Sequence, residues 1–591
     1  YNVNLYSEVV ALADVLGERT FSDLDFTELT HNYNLTNIQA TWGVTGVTYL
    51  NSNTSGFRSA ATVKYPFVDW SHQFTVGASG NPVLPNLESA FRPFINIKYL
   101  IDRIFVATDF TYESAFFDTA DFGKLFMDFN WGGSSELKNG VARFFPSDTT
   151  NTSTTSFTNL RLYEHTPNFP ASDVGYDATT GILTSTADDS VYTVDYYFWL
   201  DRDIAGTADF RWVHKDASGT TIATIDVTSL NYVSGTASAL VWDGIFTVLL
   251  DTNETLEPQF KTSVTAGLQQ DSFYSSGVFG LNPFLITTNT LLQTLRGELG
   301  QWDFLKGLLT MFNLVTLPDA NNPSNIKIEP YGDVFINNSD STELDWTDKI
   351  DISEMKLTPL TDLNKSTIFK FVEDEDDFAF MNYKNSVGGH LYGSKKYDAS
   401  GFTILSGEDE IVAEPFAATV VKPLMSQYPD FITPAVYSYN PQDDTSEGFE
   451  NSPRIMFDNG EKNLTSCTYY IPPQNGVGGS AFENQFLQFS HLTDIPTVAG
   501  SRDFHFGECQ LVSPVGSPVN SNLFNLYWLP YYNELYNPDT RIMDLKVNLN
   551  PSDINTFKMY DTVFIKNRTF RVNKIDYKPN DLATVEFILI P

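Results

Sequence analysis

The residue types that most often carry out chemistry are scattered along this chain. The acidic stretches "PDANNPSN" and "FDNGEKN" come nearest to a calcium loop, but they lack the glycine at the sixth position or the bidentate acid at the twelfth. The motifs of a nucleophile elbow, a dinucleotide fingerprint and a phosphate loop are absent. The seven histidines show no metal-ligand spacing: His31, His72, His165, His214, His390, His491 and His505. We therefore predict no catalytic residue, no metal site and no cofactor.

Two groups of carboxylates were compared with known functional patterns. Asp201 and Asp203 have the residue types that flank a glycosidic bond, but with 73 acidic residues in the chain such pairs arise by chance. The run "EDEDD" at 373–377 is interpreted as a solvated loop, and binding of a divalent cation is the second interpretation.

Three tryptophans are the only residues that we nominate for ligand contact. Trp199 lies in "YYFWL", Trp212 in "FRWVH" and Trp242 in "VWDGIF", all within alternating stretches typical of strands. An exposed indole could stack on a sugar ring, which would make a host surface glycan the ligand. The same alternation predicts that about half or more of these rings are simply core.

Composition limits the classes of function. The net charge is −37, from 36 basic and 73 acidic residues, and no basic stripe is present. Such a field repels phosphate, so we do not expect DNA binding as a main function. No apolar run approaches the roughly 18 residues of a membrane helix, so we expect no stable membrane insertion.

Cys467 and Cys509 could form a disulfide or remain free thiols. The chain opens at Tyr1 in mid-alternation, and we expect that its upstream part is missing.

The elements that carry these residues are predicted to be mainly β. Short alternating runs of Thr, Val, Phe and Tyr are broken by Gly, Asn, Asp and Pro along most of the chain. Two segments instead have helical periodicity, at 95–108 and at 302–313, and we interpret both apolar stripes as core. The second is followed by a predicted hairpin around Asp319–Asn325. A few short helices are therefore expected among many strands.

A change of composition marks an inserted domain. Residues 133–285 are rich in Thr, Ser, Asp and Gly, with strands recurring about every ten residues, which predicts a jelly-roll-like β-sandwich of about eight strands. The predicted domains are an N-terminal domain at 1–132 that contains the helix 95–108, this insertion at 133–285, a helix and hairpin at 286–350, barrel strands with a long loop-rich insertion at 351–540, and a C-terminal module at 541–591.

The C-terminal module reads as a small antiparallel β-barrel. Met543, Leu545, Val547 and Leu549 alternate onto one face, and Pro551 suits the first position of a one-turn helix. The runs "DTVFIKN" and "RTFRVNKIDY" are predicted to pair across a tight turn at 567–568, and "LATVEFILI" closes the sheet. Barrels of this kind often build rings by pairing their edges with neighbours.

Five blocks of the chain, in the same order, resemble the tail-hub (baseplate-hub) structural proteins of tailed bacteriophages that infect Bacteroidetes-type hosts. They cover roughly a third of the chain. The blocks are "VNLYSEVVALADVLGERTFSDLDFTELTHNYN", "FRPFINIKYLIDRIFVATDFTYES", "WDFLKGLLTMFNLVTLPDANNPSNIKIEPYGDVF", "NLFNLYWLPYYNELYNPDTRIMDLKVNLNPSDI" and "YDTVFIKNRTFRVNKIDY". The insertion at 133–285 has no counterpart in them.

The resemblance implies a non-enzymatic virion protein at the tail tip. It implies a homotrimer whose small β-barrels form a pseudo-sixfold ring, which joins tail tube or distal tail proteins to tail spike or fibre proteins and surrounds the DNA-exit channel. The first alternative is a glycan-binding adhesin that acts through the inserted β-sandwich. A polysaccharide-degrading enzyme is a third hypothesis, for which the sequence nominates no carboxylate.

Overall fold

The computed structural model describes residues 8–33, 35–43, 62–70, 72, 74–77, 80–85, 87–129, 141–146, 151–153, 155–160, 162–167, 174–177, 179–185, 190–201, 206–232, 240–263, 266–270, 276–281, 285–286, 288–292, 295–319, 322, 324–359, 363–437, 451–471, 481–507, 509, 519–577 and 581–590. The chain forms two compact units. Unit 1 contains 1–29, 35–132 and 288–591, and unit 2 contains 30–34 and 133–287. The insertion predicted from composition was placed at 133–285.

The protein is mainly β, with a few short helices, as the sequence predicted. In chain order, the helices α1 to α9 span Glu8–Gly17, Leu35–Ala40, Ile97–Val106, Thr288–Leu292, Leu295–Glu298, Gln301–Met311, Phe378–Ser386, Leu529–Leu535 and Pro551–Thr556. The strands β1 to β21 span His31–Asn32, Val63–Lys64, Thr75–Val76, Pro82–Val83, Phe94–Asn96, Thr111–Glu113, Leu125–Asp128, Val141–Pro146, Asn151–Ser153, Thr158–Asn159, Leu162–Pro167, Val174–Asp177, Ile182–Ser185, Ser190–Asp201, Gly206–Lys215, Thr221–Tyr232, Leu240–Leu250, Thr255–Thr262, Ala266–Gln270, Ser276–Leu281 and Leu285–Ile286.

The remaining strands belong to unit 1. The strands β22 to β40 span Leu314–Pro318, Asn325–Pro330, Glu343–Asp345, Ile350–Pro359, Ser366–Val372, Lys395–Asp398, Glu408–Ala417, Val420–Pro423, Ile432–Ala435, Ile455–Asn463, Tyr469–Ile471, Ala481–Glu483, Gln485–Ser490, Arg502–Asp503, Ser521–Asn522, Arg541–Val547, Thr562–Ile565, Arg568–Asp576 and Ala583–Leu589. Within the described residues, no helix is long and apolar enough to cross a bilayer.

Unit 2 is a β-sandwich. One sheet has the order β12-β13-β18-β15-β16, with β10 added on β18, and the other has the order β11-β8-β20-β14-β19-β9, with β17 added on β14. Side chains of both sheets share one apolar cluster, which includes Val194 and Trp242 from the second sheet and Phe210 and Leu256 from the first. The described strands outnumber the eight or so expected, because several are only two to four residues long.

The two longer amphipathic helices of unit 1 lie where the periodicity predicted them. Helix α3 begins after Asn96, whose side chain accepts hydrogen bonds from the backbone N–H groups of Lys98 and Tyr99. Helix α6 buries Phe304, Leu305 and Leu308 and is followed by the predicted hairpin, in which β22 pairs with β23. The helix packs closely on β28, since a Cβ atom at Gly307 would lie 2.5 Å from the carbonyl oxygen of Glu414. The α6 stripe therefore serves as core.

The C-terminal module is a small barrel-like sheet with the order β24-β38-β39-β40-β37-β25. Its two end strands, β24 and β25, are consecutive in the chain and are separated by only the four residues 346–349, so the sheet curls until its ends approach each other. The predicted face is buried: Met543, Leu545, Val547 and Leu549 are at most 6% exposed. Trp346 lies in the same core. The sheet is not wholly antiparallel, because β24 runs parallel to β38.

Two details of this module refine the sequence interpretation. Pro551 opens α9 after the cap Asn550, whose side chain and that of Asp553 form a capping box. The tight turn lies one residue earlier than predicted, because Ile565 pairs with Arg568 and leaves Lys566 and Asn567 in the turn. Lys566 adopts a φ of +59°, a conformation that few non-glycine residues take.

Candidate functional site

The most distinctive surface of the barrel is the free edge of β25. This strand ends its sheet, and among the described residues its outer edge pairs with no other strand. Its inner pairing with β37 is interrupted between Asp351 and Lys356. Strand edges with free N–H and C=O groups are sites where another chain can add a strand.

The interrupted part of β25 carries exposed apolar side chains. Ile352 is 57% exposed and Met355 is 53% exposed, both within the irregular segment. The end strand β16 of unit 2 also carries two exposed apolar side chains, Ile222 and Val227, but the irregular pairing of β25 distinguishes its edge. Both features favour association with another protein surface at this edge.

A cleft of about 780 Å³ opens beside the barrel, between β38, β39 and α8. On one wall, the guanidinium of Arg571 binds Glu534 through two hydrogen bonds of 2.8 and 3.2 Å. Arg568 and Asp539 also line the cleft. The two basic and two acidic side chains balance one another, so the cleft has no excess charge that would select an ionic ligand.

The "EDEDD" run is a solvated loop only in part, because Glu375 and Asp376 are exposed whereas Asp374 and Asp377 are buried. Asp374 and Asp377 are 4% and 0% exposed, and both carboxylates lie within 2.9 Å of the buried guanidinium of Arg454. Burial raises the pKa of Asp377, and this outweighs the opposing effect of Arg454. The calcium-like loop at 457–463 is also engaged in an ion pair, because Asp458 lies 2.6 Å from Lys64. Asp374, Asp377 and Asp458 therefore form ion pairs within the fold.

One cluster of potential metal ligands was not predicted from the sequence. His491, His505 and Cys509 bring their nitrogen and sulfur atoms within 4.8 Å of one another. His491 donates from Nδ1 to Asp503 at 2.7 Å, and its Nε2 accepts from the hydroxyl of Tyr392 at 3.2 Å. The spacing of His505 and Cys509, four residues apart in "HFGEC", was the only signal in the sequence.

The geometry of the two rings does not suit a shared metal ion. Their planes are 9° apart and their centroids 4.0 Å apart, so the imidazoles of His491 and His505 are stacked. Two imidazole ligands direct their in-plane lone pairs at one ion about 2.0–2.1 Å away, whereas stacked parallel rings direct them side by side. In addition, Nε2 of His505 faces the backbone N–H of Thr419 at 3.4 Å, which places its hydrogen on Nδ1 toward Cys509. The cluster is a stacked, hydrogen-bonded pair.

The nominated glycan contacts are not supported by the described residues. Trp212 and Trp242 are 0% and 1% exposed, and their rings pack 5.7 Å apart in the core of the sandwich. The glycan hypothesis is therefore wrong for these two, because neither indole has a face available to a sugar. The side chain of Trp199 and the residue Asp203 lie outside the described part of the chain. Both cysteines are free thiols, which decides between the two states left open.

Comparisons with known proteins provide no identity. No family model matches the chain, and no curated protein matches it. Murine APRIL at pH 8.5 is 13% identical over 24% of this chain and 99% of that chain, with a TM-score of 0.19. The structure of murine APRIL at pH 8.0 is 12% identical over 24% of this chain and 99% of that chain, with a TM-score of 0.20. The Eiger TNF from S. frugiperda is 12% identical over 24% of this chain and 92% of that chain, with a TM-score of 0.20. Likenesses this low support no conclusion about fold or function.

Proposed function

We propose that this protein is a structural component of a bacteriophage tail hub, in which the C-terminal barrel joins subunits into a homotrimeric ring. The ring would connect the tail tube or distal tail proteins with the spike or fibre proteins and surround the DNA-exit channel. The observation that carries the proposal is the open edge of β25, which presents Ile352 and Met355 beside unpaired backbone groups. The five sequence blocks that resemble tail-hub proteins supply the choice of assembly.

The net charge of −37 supports the same proposal. DNA that leaves through a channel must pass without binding to its wall, and an acidic surface repels phosphate. The alternative of a glycan-binding adhesin loses two of its three nominated contacts, because Trp212 and Trp242 are core residues. We therefore do not propose it.

The oligomeric state of the purified chain tests the proposal. Light scattering coupled to size-exclusion chromatography should give three times the 66.3 kDa of the chain, and negative-stain images should show a threefold ring with a central opening. A double substitution, Ile352→Asp with Met355→Asp, should yield folded monomers, because charges would be buried at the strand edge.

The matched control is Ile404→Asp. Ile404 is 68% exposed, more than either edge residue, and it belongs to none of the barrel strands. This variant should assemble like the unmodified protein. A monomeric unmodified chain at micromolar concentration, or normal trimers from the double variant, would overturn the assignment of β25 as the subunit interface.

A further inference from the structure

The stacked histidine pair joins chain segments that are distant in sequence. His491 follows β34, and His505 lies just after β35. The backbone N–H of Thr419 faces Nε2 of His505 at 3.4 Å, and the N–H of Val421 donates to the hydroxyl of Tyr392 at 3.3 Å. The two rings therefore fasten the segment 491–505 to residues 419–421 at the start of β29.

The cluster has a single carboxylate, and it is bound to the ring of His491 rather than to that of His505. The titratable groups that face His505 are His491, Asp503, Tyr392 and Cys509. Asp503 supplies a single carboxylate, and it already lies 2.7 Å from Nδ1 of His491. Below neutral pH the thiol and the phenol are uncharged. An imidazolium at His505 would be nearly fully buried, stacked on the ring of His491 with centroids 4.0 Å apart, and without a carboxylate bound to its side chain.

Protonation of His505 also removes a hydrogen-bond acceptor. In the neutral ring Nε2 is the acceptor that faces Thr419, whereas in the imidazolium both nitrogens are donors. A proton on Nε2 would point at the backbone N–H of Thr419. The hydroxyl of Thr419 is buried and has no hydrogen-bond partner among the described residues. Charging this ring thus opposes its packing in two ways.

We propose that the stacked pair His491–His505 is an acid-sensitive latch, which holds the segment 491–505 to residues 419–421 at neutral pH and releases it on acidification. Burial, followed by the neighbouring His491, lowers the pKa of His505 well below its usual value. Because the released ring has the ordinary pKa of about 6.5, the latch is fully closed above that pH and opens as the pH falls below it.

Hydrogen–deuterium exchange of the full chain tests the latch. Exchange is measured between pH 7.5 and 5.0 and corrected for the intrinsic rates. One proton is taken up when the latch opens. The protection of residues 419–421 and 504–506 should therefore fall about tenfold for each pH unit below about 6.5. The variant His505→Gln keeps an acceptor oxygen for Thr419 but cannot be protonated, so its protection should not change over this range.

A second variant tests the latch if His505→Gln does not fold. His491→Gln removes the neighbouring ring that helps to lower the pKa of His505 in the closed latch, so the total loss of protection should be smaller than in the unmodified chain. The control His214→Gln alters a buried histidine of unit 2 that pairs with Glu254, and it should leave the response of residues 419–421 unchanged. Constant protection in the unmodified chain, an equal loss in His505→Gln, or an undiminished loss in His491→Gln would each overturn the latch.

Discussion

Arg454 and Asp377 form an ion pair with a distance of 2.9 Å, and neither side chain is exposed to solvent. The same carboxylate caps α7 by accepting hydrogen bonds from the N–H groups of Ala379 and Phe380, and it also accepts one from Tyr437. One aspartate therefore ties together three segments of unit 1, namely the start of α7, Tyr437 and Arg454.

Replacing this arginine should be severely destabilising. In Arg454→Met the carboxylates of Asp374 and Asp377 would remain buried without their cation, which costs about 3–5 kcal/mol. Lys396→Met is the control, because its pair with Glu408 is about half exposed and should contribute less than about 1 kcal/mol. The free energy of unfolding in urea measures both. Similar losses in the two variants would show that the buried pair is no stronger than a surface pair.

Asp430 should make stability depend on pH in the acid range. Partial burial raises its pKa, but the backbone and hydroxyl donors of Thr465 and Ser466 outweigh burial and hold the pKa well below its usual value. This stabilisation is complete above the unfolded pKa of about 3.9 and is lost as the pH falls further. The gap in urea midpoint between the unmodified chain and Asp430→Asn should therefore be largest near pH 6 and shrink below about pH 4. A constant gap would exclude Asp430 as its source.

Helix α6 should depend on the side chain of Leu308. This residue is 1% exposed, so Leu308→Ala should leave a cavity and cost about 2–5 kcal/mol. Lys306→Ala on the exposed face of the same helix should change the free energy of unfolding by less than about 0.5 kcal/mol. A loss for Leu308→Ala as small as that of the control would contradict the packing described for α6.

The barrel core should not tolerate a charge at Val563. The residue is fully buried in β38, so Val563→Asp should cost several kcal/mol, roughly 3 or more, and prevent assembly. Thr562→Asp places the same side chain one residue earlier, at a half-buried position on the other face, and should be far milder. Circular dichroism melting curves compare the two. Equal melting temperatures would mean that the strand register is wrong.

The core of unit 2 should be independent of unit 1. Its apolar cluster consists of residues between 160 and 260. Replacing 133–287 by a short Gly/Ser bridge should therefore remove one calorimetric transition and leave the remaining transition within a few degrees, about the effect of 1 kcal/mol. The strand at His31–Asn32 would lose its partners Leu285 and Ile286. Failure of the shortened chain to fold would show that 133–287 is part of the core of unit 1.

The sequence was most informative where a short period decides burial. The alternation of Met543, Leu545 and Val547 predicted the barrel core correctly, because a strand alternates its faces every two residues. The same alternation could not tell whether Trp212 and Trp242 face inward, since it defines two faces without naming the buried one. The burial of Asp374 and Asp377 was not predicted for another reason. Their partner Arg454 lies far away in sequence, and only the tertiary fold brings the three side chains together.

The strand order of the C-terminal sheet also determines when it can be completed during synthesis. β24 and β25 leave the ribosome first, but their partners β38 and β37 begin only at Thr562 and Arg541. Until the chain has been translated through β38, at least one of the two strands remains without its neighbour and is exposed to non-native pairing, and the sheet is continuous only once β40 joins β39 to β37. A nascent chain interrupted before Arg541 would lack every partner of this sheet. Translation through β40 is therefore a condition for closing the barrel, and in the proposed hub only chains that include this strand could join the ring.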